Sequence, residues 1–299
     1  MNVQSMSICV PAIKCFNNCA YCCSKMHGGD YENMYGQIEE FHNYAKALRN
    51  ALEFARDNGC NTVMLTGNNE PQQDVNFLKI FALVNQTISK PFRSIEMQTS
   101  GALVDEKMLR FFKETVGITT IAVSTSCIND KKMNLDMVRS CDKNLDLNQL
   151  YHQIKDMGFN LRVCLNMNDH IVSLDGASVE EKIDTIFNIC TDVKADQITF
   201  RKLWSSDETG AEEKKWIDEN VTSVTDKLVD CMKTRVISDG TFLGKLEFGA
   251  NQYDYKGFSI VVDEDSMAQD GTNAAIKYLI FRPDGHLYSR WDTKASLIF

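Results

Sequence analysis

Cysteines gather in one short stretch of this sequence. Cys15, Cys19 and Cys22 stand at Cys-x3-Cys-x2-Cys spacing, with Tyr21 directly before the last of them. Loops this short force the three sulfurs to converge, so the thiolates can wrap one metal ion or iron–sulfur cluster. A [4Fe–4S] cluster has four corners, so three cysteines would leave one iron free to bind another ligand. The spacing therefore predicts a metal centre with an open coordination position.

The cysteine group allows two other interpretations. A closed structural zinc site would need a fourth ligand, which Cys9, Cys23 or His27 could supply. The thiols could also be buried and unligated, as single cysteines in apolar surroundings often are. Cys23 directly follows Cys22 and could replace it as the third ligand. These alternatives stay open on the spacing alone.

Composition limits the classes to which this chain can belong. With 299 residues, 43% hydrophobic and 24% charged, it is typical of a globular protein and within the length of one α/β barrel. We find no apolar run of about 18 residues and no secretory leader, so we expect a cytoplasmic protein without membrane contact. A net charge of −9 makes a large nucleic acid an unfavourable partner. The odd count of eleven cysteines favours free thiols over disulfides.

Strands and helices alternate through the first two thirds of the sequence. Short apolar runs predict strands at 7–13, 61–66, 94–99, 119–125, 160–166 and 196–203. Helical spacing predicts helices near 37–58, 74–89, 105–115, 147–157 and 179–191, whereas 128–146 is expected to be a polar loop. This alternation predicts an α/β fold with a parallel sheet, a partial (β/α)6 barrel.

The last third of the chain lacks this alternation. We expect acidic, largely helical segments over 205–237, a loop over 238–257, and strands at 258–262 and 278–281. A turn signal at 282–285 predicts that 286–291 pairs back as a hairpin, which could close the barrel mouth or lie on the surface. We therefore divide the chain into a barrel over 1–203 and an α+β extension over 204–299 packed on it.

Chemistry in an α/β barrel gathers at the C-terminal ends of the strands. Small, polar and charged residues follow the predicted strands here, at the cysteine loop, 67–71, 98–101, 124–126, 166 and 201–202. A ring of such groups around a cysteine-bound metal suits a ligand that carries an amine and a carboxylate.

The cysteine group resembles the signature of the radical SAM superfamily, Cys-x3-Cys-x-aromatic-Cys after the first strand of a partial barrel. The resemblance implies that Cys15, Cys19 and Cys22 bind one [4Fe–4S] cluster. It also implies that S-adenosylmethionine (SAM) binds the open iron through its amine and carboxylate. Tyr21 would then lie beside the adenine of SAM.

A second motif of that family, Gly-Gly-Glu after the second strand, contacts the SAM amine. Its counterpart here is Gly67-Asn68-Asn69-Glu70, where the second glycine is replaced and one residue is added. The resemblance therefore implies SAM contacts at Gly67, Asn68, Asn69 and, above all, Glu70.

Three further strands carry residues that resemble family positions for the SAM ribose or carboxylate. These are Ser124 or Ser126, Asn166 and Arg201. Each serine could equally be an ordinary polar barrel residue. Arg201 and Lys202 could instead form ion pairs with the acidic segment that follows them.

The implied reaction begins when a donor such as flavodoxin or ferredoxin reduces the cluster. SAM is then cleaved to methionine and a 5′-deoxyadenosyl radical, which abstracts hydrogen from a substrate. The later cysteines are isolated, so we expect a single cluster. We expect a small, nucleoside- or nucleotide-like substrate, bound through Arg201, Lys202 and the terminal hairpin. Modification of a peptide or protein, including glycyl-radical activation, is the alternative activity, and a zinc-binding scaffold is the non-enzymatic one.

Overall fold

The structure is a computed structural model that describes residues 2–11, 14–22, 41–205, 209–246, 250–262, 275–291 and 293–299. Within these ranges eleven strands form one sheet: β1 (Asn2–Cys9), β2 (Thr62–Thr66), β3 (Ser94–Thr99), β4 (Thr120–Thr125), β5 (Asn160–Met167), β6 (Gln197–Lys202), β7 (Thr241–Lys245), β8 (Asn251–Tyr255), β9 (Phe258–Val262), β10 (Ala275–Phe281) and β11 (Leu287–Tyr288). The same ranges contain eight α-helices: α1 (Phe41–Asp57), α2 (Val75–Thr87), α3 (Glu106–Phe111), α4 (Lys131–Val138), α5 (Leu147–Asp156), α6 (Val179–Asp192), α7 (Ala211–Asn220) and α8 (Ser223–Asp239).

Parallel pairing dominates the sheet. The strand order is β11-β10-β1-β2-β3-β4-β5-β6-β9-β8-β7, and pairing is parallel from β10 through β1–β6 to β9. The remaining pairs, β10 with β11, β9 with β8 and β8 with β7, are antiparallel. The predicted α/β fold with a parallel sheet is confirmed. The last third of the chain adds strands to both edges of the six-stranded βα repeat; its division from the barrel at residue 203 stays a prediction.

Side-chain caps start the helices that follow β2 to β5. The N-cap side chains Asp74, Asp105, Asp130, Asp146 and Ser178 each accept a hydrogen bond from the backbone N–H of the third helical residue. Each cap satisfies an N–H that would otherwise lack a partner, and so fixes the residue at which the helix begins and the preceding loop ends. The loops before α2, α3, α4 and α6 leave the C-terminal edge of the sheet, where functional residues are expected.

The two faces of the strands differ in chemistry. Alternate residues such as Val163 and Leu165 are buried in the apolar core between the sheet and the helices. The opposite face is polar: Arg162 forms an ion pair with buried Glu96, Nη1 to Oε2 2.5 Å, and its Nε donates to Gln197 Oε1 at 2.6 Å. This polar side chain network spans β3, β5 and β6 below the edge that carries the candidate site.

Three expectations about local structure are wrong. The segment 128–146, expected to be a loop, contains α4, because Asp130 caps it and Leu135 and Val138 bury its apolar side against the core. The segment 238–257 contains β7 and β8, which form antiparallel hairpins: β8 pairs with β9 across a turn at Lys256 and Gly257, both with positive φ, and β7 pairs with β8. The first strand spans β1 rather than 7–13, since Pro11 lacks the N–H that would continue the ladder.

The terminal hairpin forms, but only Leu287 and Tyr288 pair with β10. The Arg282 guanidinium carbon lies 5.5 Å from the ring centroids of both Tyr288 and Trp291, and its Nη2 donates to the Trp291 carbonyl at 2.7 Å. Arg282 is thus buried between these two rings. Among the described residues, none of the helices has the length and apolarity needed to cross a membrane.

Candidate active site

The cysteine loop follows β1 at the C-terminal edge of the parallel sheet, and its backbone is held from two sides. On one side, the Gln73 side chain accepts from the Phe16 N–H at 3.0 Å and donates to the Lys14 carbonyl at 2.7 Å. On the other side, the Ala20 N–H donates to the Met137 carbonyl at 3.0 Å. The loop is therefore anchored both to the turn after β2 and to the end of α4.

Cys15, Cys19 and Cys22 are all half-buried on this loop. Burial raises the pKa of the Cys15 and Cys19 thiols, and the Glu70 carboxylate and the neighbouring thiols raise them further. The thiols influence one another because they lie close together in a partly water-excluded place. Across the described ranges, no three Cys, His, Asp or Glu side chains are already placed to hold one metal ion.

Cys9, one candidate for a fourth metal ligand, is buried at the end of β1. Cys9 packs on the inner face of β1 against Ile280 and Tyr288, and burial raises the pKa of its thiol to about 12. Cys23 and His27, the other candidates for a fourth ligand, lie outside the described residues.

Glu70 is the buried polar centre beside the cysteine loop. Its Oε1 accepts from Asn17 Nδ2 at 2.9 Å and from the Ser100 N–H at 3.2 Å. Its Oε2 accepts from Gln72 Nε2 at 3.0 Å, from the Ser100 N–H at 3.1 Å and from the Thr99 hydroxyl. Glu70 thereby joins the cysteine loop, the turn after β2 and the end of β3. Its contact with the SAM amine stays a prediction.

The residues just before Glu70 fit closely against the end of β1. A Cβ on Gly67 would lie 3.0 Å from the Val10 oxygen and 3.1 Å from the Val10 nitrogen, tighter than ordinary Cβ contacts, so a larger residue would push the two segments apart. Asn69 is buried and donates from Nδ2 to the Val10 carbonyl at 3.0 Å, whereas Asn68 is exposed. The segment thus packs on the strand that leads into the cysteine loop, and its contacts with SAM stay a prediction.

A second polar group lies at the other end of the loop. The buried Tyr21 hydroxyl is hydrogen-bonded to the Ser126 hydroxyl and accepts from Asn166 Nδ2 at 3.2 Å. Burial raises the pKa of Tyr21, so the phenol stays neutral. The Trp216 ring of α7 packs on Tyr21, with the ring centroids 5.4 Å apart. The structure therefore brings three predicted site residues into direct contact.

Ser124 and Arg201 lie near this group without joining it. Ser124 is half-buried on β4, two residues before Ser126, and pairs in register with Cys164. Arg201 is exposed and lies opposite Asn166 in the register of β5 and β6. Neighbouring Lys202 forms an ion pair with Asp226 of α8. For Lys202 this matches the alternative in which the two cations pair with the acidic segment.

A cavity of about 490 Å³ adjoins the cysteine loop at Ala20. Its walls come from the loop, α4, the segment after β5 and α7: Ala20, Asp130, Lys132, Met133, Asp136, Met137, Arg139, His170, Trp216 and Asn220. Both signs of charge are present, together with two methionines and a tryptophan. We call this cavity the α4–α7 groove.

Two residues of this site were missed by reasoning from the sequence. Asn17 sits inside the cysteine motif, but its spacing carried no signal beyond a polar loop residue. Trp216 lies in an acidic helix far along the chain, and no local pattern connects it with Tyr21. Only the folded structure brings Trp216 to the motif.

Comparison with known proteins identifies the family. The family model described as the radical SAM superfamily matches residues 10–185, which is more than half of the chain. The chain belongs to the radical SAM superfamily. It is therefore a member of a family of enzymes that use a [4Fe–4S] cluster and SAM, as the sequence predicted. No curated protein sequence matches it.

Solved structures of radical SAM enzymes share the fold at low sequence identity. SuiB of Streptococcus suis, bound to its precursor peptide SuiA, is 13% identical with a TM-score of 0.57, and the match covers 96% of this chain and 59% of SuiB. The enzyme anSMEcpe, with bound AdoMet and the Cp18Cys peptide, is 10% identical with a TM-score of 0.59, covering 98% of this chain and 75% of that one. HemN of Escherichia coli, a coproporphyrinogen III oxidase, is 12% identical with a TM-score of 0.50, covering 81% and 54%. The chain spans about three fifths of the length of SuiB.

The radical SAM cofactors fit the residues of this site. Three thiols on one short loop form the donor set that iron–sulfur clusters take. Asn17 Oδ1 is buried without a hydrogen-bond partner among the described residues, so the site holds an acceptor ready for an N–H donor such as the SAM amine. The neutral Tyr21 ring and the Asn166 amide offer a flat apolar surface and a polar group for the nucleoside part.

Proposed function

We propose that this radical SAM enzyme holds one [4Fe–4S] cluster through Cys15, Cys19 and Cys22. In this proposal the methionine part of SAM lies toward Glu70 and the nucleoside part toward Tyr21, Ser126 and Asn166. The observation that carries it is the loop itself, whose two ends contact these two separate polar groups. Gly67, Asn68, Asn69, Ser124 and Arg201 remain proposed SAM contacts of lesser weight.

The bound cofactors would supply reductive cleavage of SAM, with an electron from a donor such as flavodoxin or ferredoxin, to a 5′-deoxyadenosyl radical that abstracts hydrogen. The chain's own residues bind, orient and exclude water. Glu70 fixes the turn after β2 against the loop, and Trp216 covers the side of Tyr21. Burial of both groups keeps bulk water from the place where a radical would form.

For the substrate, we favour a peptide or protein segment over a nucleotide. The nucleotide expectation relied on Arg201, Lys202 and the terminal hairpin. Arg201 is exposed, but Lys202 pairs with Asp226, and Arg282 of the hairpin is enclosed by Tyr288 and Trp291. The α4–α7 groove has balanced charge and adaptable methionine side chains, which suit a peptide better than a polyanion. The peptide complexes of SuiB and anSMEcpe, which share this fold, support the same class.

Anaerobic reconstitution with iron and sulfide tests the cofactor proposal. Wild-type protein should gain the brown absorption of a [4Fe–4S] cluster, and its reduced electron paramagnetic resonance signal should shift when SAM is added. Cys15→Ala, Cys19→Ala and Cys22→Ala should each lose both properties. Cys141→Ala, at an exposed free cysteine outside the loop, is the matched control and should keep them. Full cluster and SAM response in the three loop variants would refute the ligand assignment.

Deuterium transfer tests the substrate proposal. Extracts of deuterated cells are separated into a peptide and protein fraction and a small-molecule fraction, and each is incubated with reconstituted enzyme, reductant and SAM. Deuterium in the 5′-deoxyadenosine product should come from the peptide fraction, and Cys19→Ala protein should give none. Deuterium only from the small-molecule fraction would restore the nucleotide interpretation.

A further inference from the structure

The orientation of the Asn17 side chain is fixed by its neighbours. Its Nδ2 donates to Glu70 Oε1 at 2.9 Å and to Ser100 Oγ at 2.8 Å. A carboxylate can only accept, so the amide nitrogen must face Glu70 and the amide oxygen must point away from it. The backbone N–H of Asn17 donates to the Cys15 sulfur at 3.3 Å, so the residue lies directly beside a proposed cluster ligand.

The amide oxygen of Asn17 lacks a hydrogen-bond donor among the described residues. Asn17 is 6% exposed, and its Oδ1 is buried without a hydrogen-bond partner among the described residues. Buried polar atoms are nearly always satisfied, so a partner is expected in the working state. Thiolates and cluster sulfides can only accept hydrogen bonds, so neither can serve. The SAM amine is an N–H donor that the enzyme must bind next to this loop.

The family resemblance assigns Glu70 to the amine of SAM, but both carboxylate oxygens of Glu70 already accept hydrogen bonds from protein groups. An ionised carboxylate offers about four lone-pair positions. Here they accept from Asn17 Nδ2, Gln72 Nε2, the Thr99 hydroxyl and the Ser100 N–H, which contacts both oxygens. A further donor would have to displace one of these protein groups.

We propose that Asn17 Oδ1 accepts a hydrogen bond from the amino group of SAM, and that Glu70 is a positioning residue that keeps the Asn17 amide in the required orientation. This inference rests on the proposed function, because it takes SAM to bind at the cysteine loop. It adds a ligand contact inside the cysteine motif, between the first and second cluster cysteines.

The test compares the binding of two ligands to reconstituted holoprotein. One ligand is SAM and the other is the SAM analogue in which hydrogen replaces the amino group. The ratio of their dissociation constants isolates the amino group, because changes in cluster loading or loop geometry affect both ligands. Asn17→Leu should reduce the wild-type preference for SAM by about tenfold, the value of one hydrogen bond. Asn18→Leu, at the exposed asparagine next in the loop, is the matched control and should leave the ratio unchanged.

Each other outcome has a defined meaning. A change of less than twofold in Asn17→Leu, or a larger fall in Glu70→Gln than in Asn17→Leu, would overturn the inference and leave the proposed function standing. Failure of wild-type holoprotein to bind SAM would overturn both. A crystal structure of wild-type holoprotein with SAM decides independently of any variant. The SAM nitrogen should lie within hydrogen-bond distance of Asn17 Oδ1, and contact with Glu70 alone would overturn the inference.

Discussion

Removal of the Glu70 carboxylate should destabilise the fold as well as the site. In Glu70→Ala, Gln72 Nε2 keeps Thr99 Oγ1 and the Ala102 carbonyl as acceptors, and Asn17 Nδ2 keeps the Ser100 hydroxyl. The Thr99 hydroxyl and the Ser100 N–H lose the acceptor that Glu70 provides. A buried donor left without an acceptor costs about 1–3 kcal/mol. Because relief of the buried charge offsets part of this cost, we expect a net loss of about 2–4 kcal/mol.

Urea unfolding of the metal-free protein, followed by circular dichroism, measures this loss without any contribution from cofactors. Glu70→Gln should lose less, about 1–2 kcal/mol, because it keeps one acceptor oxygen but turns an amide NH₂ toward existing donors. Glu106→Gln is the control: its side chain is 65% exposed and forms an ion pair with Arg110 in the same helix, so we expect a change under about 0.5 kcal/mol. If the free energy of unfolding of Glu70→Ala differs from that of the wild type by less than about 0.5 kcal/mol, the Glu70 contacts do not stabilise the fold and the reasoning fails.

Three further variants test packing and charge by the same unfolding measurement. Gly67→Ala should cost about 1–3 kcal/mol, since its Cβ would press on Val10, whereas Gly244→Ala, with open space around its Cβ, should be nearly neutral. Arg162→Met should cost about 3 kcal/mol by leaving the buried Glu96 carboxylate without its cation, although Gln98 Nε2 still donates to it at 3.0 Å, and adding Glu96→Met should restore most of this loss. Asp169→Asn should cost about 1–2 kcal/mol and flatten the pH dependence of stability at acid pH. Partial burial raises the Asp169 pKa, but hydrogen bonds from Thr225 and Thr222 outweigh this and lower it, so its stabilisation is present above the ordinary carboxyl pKa and is lost as pH falls. An unchanged slope in Asp169→Asn would contradict this.

Local patterns were sufficient to predict the βα repeat. The strand at 94–99 matches β3 residue for residue, because Ile95 and Met97 alternate as buried apolar positions. The helix near 147–157 matches α5 to within one residue, because the Asp146 cap and its buried apolar residues mark it. The same signals fail for α4, whose eight residues mix Lys131, Asn134 and Asp136 with apolar positions that do not repeat cleanly. A short helix is stabilised by its capping residue and by packing against the core. The capping residue can be recognised in the sequence, but the packing cannot.

The edges of the sheet could not be predicted for a different reason. β10 pairs in parallel with β1 across almost the whole chain, with Ala275 opposite Asn2 in register. β7 is largely exposed and contains Gly244, so neither alternation nor propensity favours a strand there. β7 is stabilised by its pairing with β8. The sequence of such a strand need not show the alternation or the β-propensity that would predict it.

The candidate site combines both kinds of information. The cysteine spacing and Tyr21 can be recognised in the sequence. The structure places Ser126 and Asn166 in hydrogen-bond contact with Tyr21, whereas the contacts with SAM that the resemblance implied for these residues stay a prediction. The Trp216 ring of α7 covers Tyr21. Trp216 comes from the last third of the chain, outside the segment that carries the family resemblance. A ring at this distance must move or share its place if a nucleoside is to stack on Tyr21. Trp216→Ala should therefore weaken SAM binding if Trp216 covers the bound nucleoside, and strengthen it if the ring occupies the nucleoside position in the free protein. Unchanged SAM affinity would show that the nucleoside binds away from the Tyr21–Trp216 pair.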